Sequence, residues 1–495
     1  MAADLVLTID VGTSSLKMML FDREGNRLPR AMKRVSYLPL TRADGTCVLD
    51  PDRLLQWTLK GLDEFLAQCG PLVPRIRAVG LCTFWHSIMG VGRDGRPVTP
   101  LFLWADSRSA DEAALLRSQL DEKSYHLRTG CYFHSSYVPA KILWFRRKFP
   151  EQASQVRTWM GFGEYVTFKL FGQAPCTHSM ASGTGLFNQS TLQWDGEILQ
   201  SIGIGPTQLP VLTDFVPVEG RWRSPLIPAP LRAADWFPAV GDGATSNVGC
   251  SAVQPGIAAL MLGTSAALRT LAPSSKPPTV QGLWRYLIDS RRPLIGSAQS
   301  NGGIVLQWVK KVFKLPEDWE EALSKARPLS HGLSVLPFLL GERGPEWDKS
   351  SAGLIYGLTF EHSPLDIAQA FMEAVCLRMR LIAALITEQV GDLRQLIGTG
   401  RALSQSRIWG QMMADALGRP IYISRETEAS SRGTALLVLE RLGLLSDITS
   451  SPARTATVVE PRHEYHAAYT EALQRLKNLR HLADQFQISS TTASA

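Results

Sequence analysis

Two acids and two Gly-Thr-Ser turns are the residues of this chain whose types and spacing invite chemistry. Residues 5–22 read LVLTIDVGTSSLKMMLFD: the acid Asp10, then Gly12 with the hydroxyls of Thr13, Ser14 and Ser15, then Lys17, all between apolar runs. Such a turn would line up backbone N–H groups and hydroxyls as donors to phosphate oxygens, with Lys17 one step away and Asp10 free to hold a cation through water. The competing reading is structural: Gly12 makes a tight hairpin, and Asp10 is a strand-end turn residue. Residues 256–271, GIAALMLGTSAALRTL, carry the same pattern around Gly263, Thr264 and Ser265. Unless so short a match is chance, the repeat predicts two domains of like topology offering donors to one cleft. Asp10 stands two residues before the first turn, whereas apolar Leu262 precedes the second, so only the first copy is fitted for Mg2+.

A further acid lies just ahead of the second hairpin, in AVGDGATSNVGC (239–250). An acid after an apolar pair and before small residues reads as a helix start, with Asp242 as its cap and its carboxylate held as an anion by the helix N-terminus. A cleft carboxylate of that kind can take the proton of an attacking hydroxyl. Capping alone would need no chemistry. Polar residues also appear abruptly after apolar ones at His86 and at Trp104-Ala105-Asp106-Ser107-Arg108. Side chains at strand ends gather at sites, so His86, Asp106 and Arg108 are candidates for one substrate pocket; the alternatives are a backbone-bonded His and a surface Asp-Arg pair.

These residues need a scaffold. Alternating and continuous apolar runs at 5–21, 76–82, 101–103 and 256–271 read as strands, and 52–69 as a helix that Pro51 and Asp52 could start. Residues 111–171 are mainly helical in pattern, 203–238 are proline-dense and lead to a domain boundary, and 465–486 carry an apolar face ahead of a Ser/Thr/Ala end at 489–495 expected to be disordered. At 495 residues the chain is too long for a single core, and 45% hydrophobic with 20% charged residues is ordinary globular composition. The net charge of +7 comes without a basic stripe interleaved with aromatics, which argues against nucleic acid as a partner. Seven scattered cysteines without a CxxC pair read as reduced, buried thiols. The N-terminus lacks a basic leader and no apolar run reaches the ~18 residues that span a bilayer, so a cytoplasmic protein with no membrane partner is expected.

Taken together, IDVGTSS at 9–15, WADSR at 104–108, GDGATSN at 241–247, GTSAALR at 263–269, SNGGIVLQW at 300–308, LPFLLGERGPEWD at 336–348, SRIWGQMMADALGRPI at 406–421 and EASSRGTALL at 428–437 resemble the FGGY carbohydrate kinases. The order and spacing cover nearly the whole chain, and within the family the gluconokinase branch is nearest in appearance. The resemblance implies an α/β, actin-like ATPase fold of two ribonuclease-H-like domains around a central cleft. The expected division is 1–250 (sugar side, first hairpin), 251–450 (second hairpin, adenosine loop) and 451–495 (C-terminal helix and tail). It implies ATP and Mg2+ as cofactors and transfer of the γ-phosphoryl group to a terminal hydroxyl. D-gluconate is the expected acceptor; a pentulose such as xylulose, or a polyol, is the alternative.

The resemblance also carries roles. Asp10 matches the acid that positions Mg2+; Thr13 and Ser14 match the first phosphate turn, and Gly263, Thr264 and Ser265 the second. Asp242 matches the general base, and His86, Asp106 and Arg108 fall where family members touch the sugar. Gly302 and Gly303 match a nucleotide-side loop, and Gly398 to Ser404, including Gly400 and Arg401, falls where the adenosine sits. Arg401 replaces the second glycine usual there, either stacking on the base as a planar cation or narrowing the pocket. For a gluconate carboxylate, Arg108, His86 and Lys141 are the available side chains. Actin-like folds also serve as non-catalytic sugar sensors or nucleotide-switched binding proteins, but keeping both Asp10 and Asp242 favours turnover. A homodimer is compatible with the sequence.

Overall fold

Strand-forming runs on either side of Gly12 pair as an antiparallel hairpin, β1 (Leu5–Val11) with β2 (Ser15–Phe21), and β3 (Arg27–Ser36) continues from β2. Every residue of β1 is buried, because it is the middle strand: β4 (Ile76–Thr83) pairs parallel on its other side, and β5 (Asp235–Gly241) pairs parallel to β4. The computed structural model describes residues 4–219, 224–273, 280–348 and 351–492, except for the side chains of 486–492. The second hairpin, β6 (Ile257–Leu262) with β7 (Ala266–Leu271), is again central. Beside β7 lie β8 (Trp284–Asp289) and β9 (Arg292–Gln299), in the order β7, β9, β8; beside β6 lie β10 (Gln395–Thr399), β11 (Ile421–Ser424) and β12 (Thr455–Val459).

In both sheets a hairpin and a third antiparallel strand lie on one side, and two parallel strands lie on the other. The repeated order is the ribonuclease-H-like one, and the chain has the expected actin-like ATPase fold. Helices supply the cover. α1 (Pro51–Cys69) begins with Pro51 at its first turn and Asp50 as its cap, the Asp50 carboxylate accepting from the Arg53 N–H, and it packs on β2 and β3. α2 (Asp242–Gly249) follows β5 directly; α3 (Gly303–Phe313) and α4 (Pro364–Val390) cover the second sheet, α4 starting from a Ser363/Asp366 capping box.

Two segments cross the divisions drawn from sequence. α5 (Ala429–Arg441), expected in the second domain, packs on β1, β4 and α2, and its Ala435 to Leu439 belong to the first hydrophobic core. Its near-uniform burial explains this, since both of its faces meet apolar surface. β12, expected in the tail, is a strand of the second sheet, and α6 (His466–Thr492) buries Tyr469, Leu476 and Leu479 in the second core. The helix thus reaches into the Ser/Thr/Ala end, whose residues 493–495 lie outside the described residues. All seven cysteines are buried and unpaired, and no described helix is long and apolar enough to cross a membrane.

Candidate active site

The ends of β1, β4 and β5 converge with the second hairpin, and there the sequence-predicted residues partly meet. Asp242 opens α2, but as its first helical residue; Gly241 holds the cap position, and the Asp242 carboxylate accepts from the Gly243 N–H at 2.8 Å. The glycines on either side of Asp242 are required, because the Trp85 indole lies against both and a Cβ on Gly241 or Gly243 would come to 2.0 or 2.4 Å from its ring atoms. That ring is fixed by Nε1 donating to the Ser179 carbonyl at 3.0 Å. Burial pushes the Asp242 carboxyl above the usual carboxylate range, the reverse of the expectation drawn from a helix N-terminus, and the guanidinium of Arg269 and the Gly243 N–H act against the rise.

Asp242 faces a cavity of about 230 Å³, a size for a small polar molecule. Its walls are aromatic: Trp85 and Tyr137 from the first domain face Trp284 and Tyr286 from the second, with the Tyr137 and Tyr286 hydroxyls hydrogen-bonded at 2.6 Å. His86 lines the same cavity from just beyond β4, with a left-handed backbone (φ 61°) and Nδ1 against the Gly183 carbonyl at 2.5 Å. Burial lowers its pKa to about 3, so the ring is neutral and serves as a hydrogen-bonding group. A larger groove of about 720 Å³ on the first domain has Arg93, Arg157 and Glu219 as its charged members and includes none of these residues.

The remaining candidates separate from the cavity. Arg108 clasps Asp106 with Nε and Nη2 at 3.0 and 2.7 Å and lays its guanidinium over the Trp144 ring at 4.5 Å. Asp106 also accepts from the Cys47 N–H at 2.9 Å. The two are therefore engaged with each other, as in the alternative that the sequence left open, but the pair is largely buried and not at the surface. Lys141 is buried, donates to the Ser135 carbonyl, and has its pKa lowered to about 7 by burial, with Asp106 acting against the fall.

The two turns carry accessible hydroxyl residues, and Ser265 of the second lines the cavity. Gly12 N–H closes the first by donating to the Ser15 carbonyl and Gly263 N–H closes the second by donating to the Ser265 carbonyl, both at 2.9 Å, the second turn being one residue shorter. Ser14 and Thr264 are exposed, Thr13 and Ser265 partly so. Aligned on their glycines, the position of Asp10 is held in the second copy by Met261 rather than by Leu262. Asp10 is buried beneath the first turn and accepts from the Ser431 hydroxyl at 3.3 Å. Burial pushes its carboxyl up to about 6; the Lys17 ammonium acts against this, and the Asp242 charge adds to it. Lys17 itself ion-pairs with Glu428 at 2.6 Å.

On the nucleotide side, Gly302 and Gly303 donate to the Thr264 and Gly263 carbonyls, and a Cβ on either would meet the backbone of the second turn. Gly400 takes a φ of 92°, and Arg401 begins a short helix with its side chain exposed and donating to Gln405 at 3.0 Å. Ser404 is exposed one turn on, its hydroxyl donating to the Arg401 carbonyl.

Sequence reasoning missed the aromatic walls of the cavity and both of its arginines, Arg269 on β7 and Arg343. Arg269 is buried with its Nε lacking a partner among the described residues, and its guanidinium lies against Gly243 beside Asp242. The signal for Arg269 was a lone arginine in an apolar strand run, AALRTL; that for Arg343 was a charged pair, Glu-Arg, between an apolar run and a Gly-Pro.

The comparisons with known proteins fit this arrangement. The model of the N-terminal domain of the FGGY family of carbohydrate kinases matches residues 5–223, and that of its C-terminal domain residues 258–439. A gluconokinase of Bacillus licheniformis is 29% identical over 485 residues, 93% of either chain. Among solved structures, a gluconate kinase from Lactobacillus acidophilus superposes with a TM-score of 0.90 at 26% identity, covering 97% of this chain and 98% of that one. A xylulose kinase from the same organism gives 0.88 at 25% identity, with the same coverage.

Proposed function

We propose, for a chain that belongs to the FGGY family of carbohydrate kinases, that it transfers the γ-phosphoryl group of ATP to the terminal hydroxyl of a small sugar acid, D-gluconate being the preferred acceptor. The observation that carries this reading is a carboxylate, Asp242, at the wall of a small aromatic cavity beside the second Gly-Thr-Ser turn. Phosphoryl transfer asks for alignment and charge neutralisation more than covalent help. Asp242 accepts the proton of the acceptor hydroxyl; the hydroxyls and N–H groups of residues 12–14 and 263–265 hold phosphate oxygens; the aromatic walls keep out water, which would otherwise compete as acceptor.

Asp10 suits a hard cation. It is a buried carboxylate whose charge is only partly balanced by Lys17, and no cluster of three metal-binding side chains occurs among the described residues, as fits an ion held chiefly by water and nucleotide phosphates. Mg2+ bound there would offset charge on the phosphates. Two guanidinium groups, Arg269 and Arg343, line the cavity with the Asp242 carboxylate, the neighbouring Glu342 carboxyl acting on Arg343 as well, and a lining with two such donors favours an anionic acceptor over a pentulose.

A coupled ADP-release assay over gluconate, xylulose and glycerol tests the proposal. Gluconate is expected to give the highest kcat/KM. Activity on xylulose with none on gluconate would overturn the acceptor, and absence of sugar-dependent ADP release would overturn the kinase reading.

A further inference from the structure

We infer that the Tyr286 hydroxyl binds the acceptor as a hydrogen-bond donor, aimed at it by the Tyr137 hydroxyl from the other domain; the inference rests on the kinase reading above but on no particular sugar. Two phenols hold two protons. With the oxygens 2.6 Å apart, one proton lies between them and the other needs a different acceptor. The Tyr137 hydroxyl has one within reach, the Cys131 thiol, but that thiol donates to the Ser182 carbonyl at 3.5 Å and its sulfur is a weak acceptor. The Tyr286 hydroxyl makes no further hydrogen bond among the described residues. Both side chains are buried, and what both border is the cavity beside Asp242. When an oxygen lone pair of an acceptor arrives there, Tyr137 donates to Tyr286 and Tyr286 to the acceptor, and hydroxyls in series strengthen one another.

The pair stands on a seam between the domains that is fixed from both sides. β8 belongs to the second sheet, yet its Arg285 N–H donates to the Gly130 carbonyl at 3.0 Å and its Leu287 N–H to the Ser182 hydroxyl at 2.9 Å, both in the first domain. The Tyr286 ring between them is stacked on Trp284, with centroids 4.1 Å apart and planes 10° from parallel. Tyr137 stands at the cap position of the helix Val138–Lys148, its N–H donating to the His134 carbonyl at 3.0 Å. A donor mounted this way is preorganised, and none of the groups that mount it belongs to the phosphate turns, so it is in place before nucleotide binds. The His86 ring lies 5.0 Å from Tyr137 and 5.4 Å from Tyr286. Its Nδ1 faces the Gly183 carbonyl, which can only accept, so the proton is on Nδ1 and Nε2 remains an acceptor. A polyhydroxylated chain both donates and accepts, and this wall offers it one group of each kind.

The test is a double-variant cycle of Tyr286→Phe, Tyr137→Phe and the two together, which removes hydroxyls and leaves the rings. Acceptor Kd is read without nucleotide from the fluorescence of the cavity tryptophans, and KM and kcat from ADP release, with the sugar that wild-type enzyme uses best. Tyr286→Phe is expected to weaken acceptor binding about tenfold, with KM for ATP within about threefold of wild type. Tyr137→Phe leaves the donor but not its aim, and should weaken binding about threefold. Because Tyr137 acts only through Tyr286, the double variant should match Tyr286→Phe within about twofold. Acceptor binding unchanged in a folded Tyr286→Phe overturns the assignment, and so does a loss that falls on KM for ATP. Losses that multiply in the double variant overturn the series arrangement and make Tyr137 an independent contact. If Tyr286→Phe fails to fold, unchanged binding in Tyr137→Phe overturns it. Wild-type enzyme without sugar-dependent ADP release defeats the kinase reading first, and this role with it.

Discussion

The two hairpins share an apolar run, a Gly-Thr-Ser turn, a central place in a ribonuclease-H-like sheet and a Gly N–H closing the turn at 2.9 Å, yet they bring opposite charges to the cleft. The first sheet brings the acids, Asp10 beneath its turn and Asp242 at the end of β5. The second has Met261 where the first has Asp10, and brings Arg269 on β7 and Arg343 from the loop beyond. On the proposed reading the duplicate scaffolds are divided by chemistry: one side would bind a cation and take a proton, and the other would meet anions. Neither half alone holds a complete set.

The largest break should come from the acid side. Asp242→Asn keeps the shape and the contact with Gly243 but cannot take the proton, so kcat should fall by ~10²-fold or more while gluconate affinity stays near wild type. Near-normal turnover in a purified, folded variant would remove Asp242 from the chemistry and leave the comparison resting on Asp10 alone.

Asp10→Asn comes next, and it separates function from stability. Turnover should drop by about 10²-fold at fixed Mg2+. The wild-type carboxyl, pushed up to about 6 by burial, must be ionised to work, so activity should fall as pH drops through about 6. Stability runs the other way. An acid whose folded pKa lies above its unfolded value holds its proton more tightly when folded, so its contribution is present at pH 4 and is lost as pH rises through about 6. Asp10→Asn should therefore melt higher than wild type at pH 7.5, by up to about 3 kcal/mol of stability, and near wild type at pH 4. Equal melting differences at the two pH values would show that the buried charge carries no such cost.

What could be read in the chain beforehand follows the same division. The acid side was legible because its signals are local: apolar run, acid, glycine and hydroxyls within seven residues at Asp10, and an acid flanked by two glycines at Asp242. The cation side was not. Arg108 looked available because nothing in WADSR says that Asp106, two residues away, already holds it. Arg269 and Arg343 are 74 positions apart and enter one cavity only through the folding of the second domain. The return of α5 to the first core was hidden for the same reason: EASSRGTALL states that a helix buries both faces, not which sheet it meets.

Arg269→Gln should have a moderate effect and sharpens the comparison by removing one cation from the second side. The guanidinium acts against the burial that raises Asp242, so its loss should lift the acid limb of the kcat/KM profile and lower kcat by less than Asp242→Asn does. A lower kcat with an unmoved acid limb would mean that Arg269 serves the phosphoryl group rather than the base.

The smallest effect is expected at Lys17, which by sequence stood among the phosphate-binding groups of the first turn. In the folded chain its ammonium is taken by Glu428 at 2.6 Å, and both side chains are only partly exposed, so the pair ties β2 to the start of α5 instead of reaching into the cleft. Partly screened pairs of this kind contribute little, on the order of 1 kcal/mol. Lys17→Gln should accordingly leave KM for ATP within about threefold of wild type. Its charge also holds Asp10 down against burial, so the acid limb of the activity profile should move upward. A large rise in KM for ATP would mean that Lys17 leaves Glu428 for the nucleotide, and the first hairpin would then supply a cation as well as its acids.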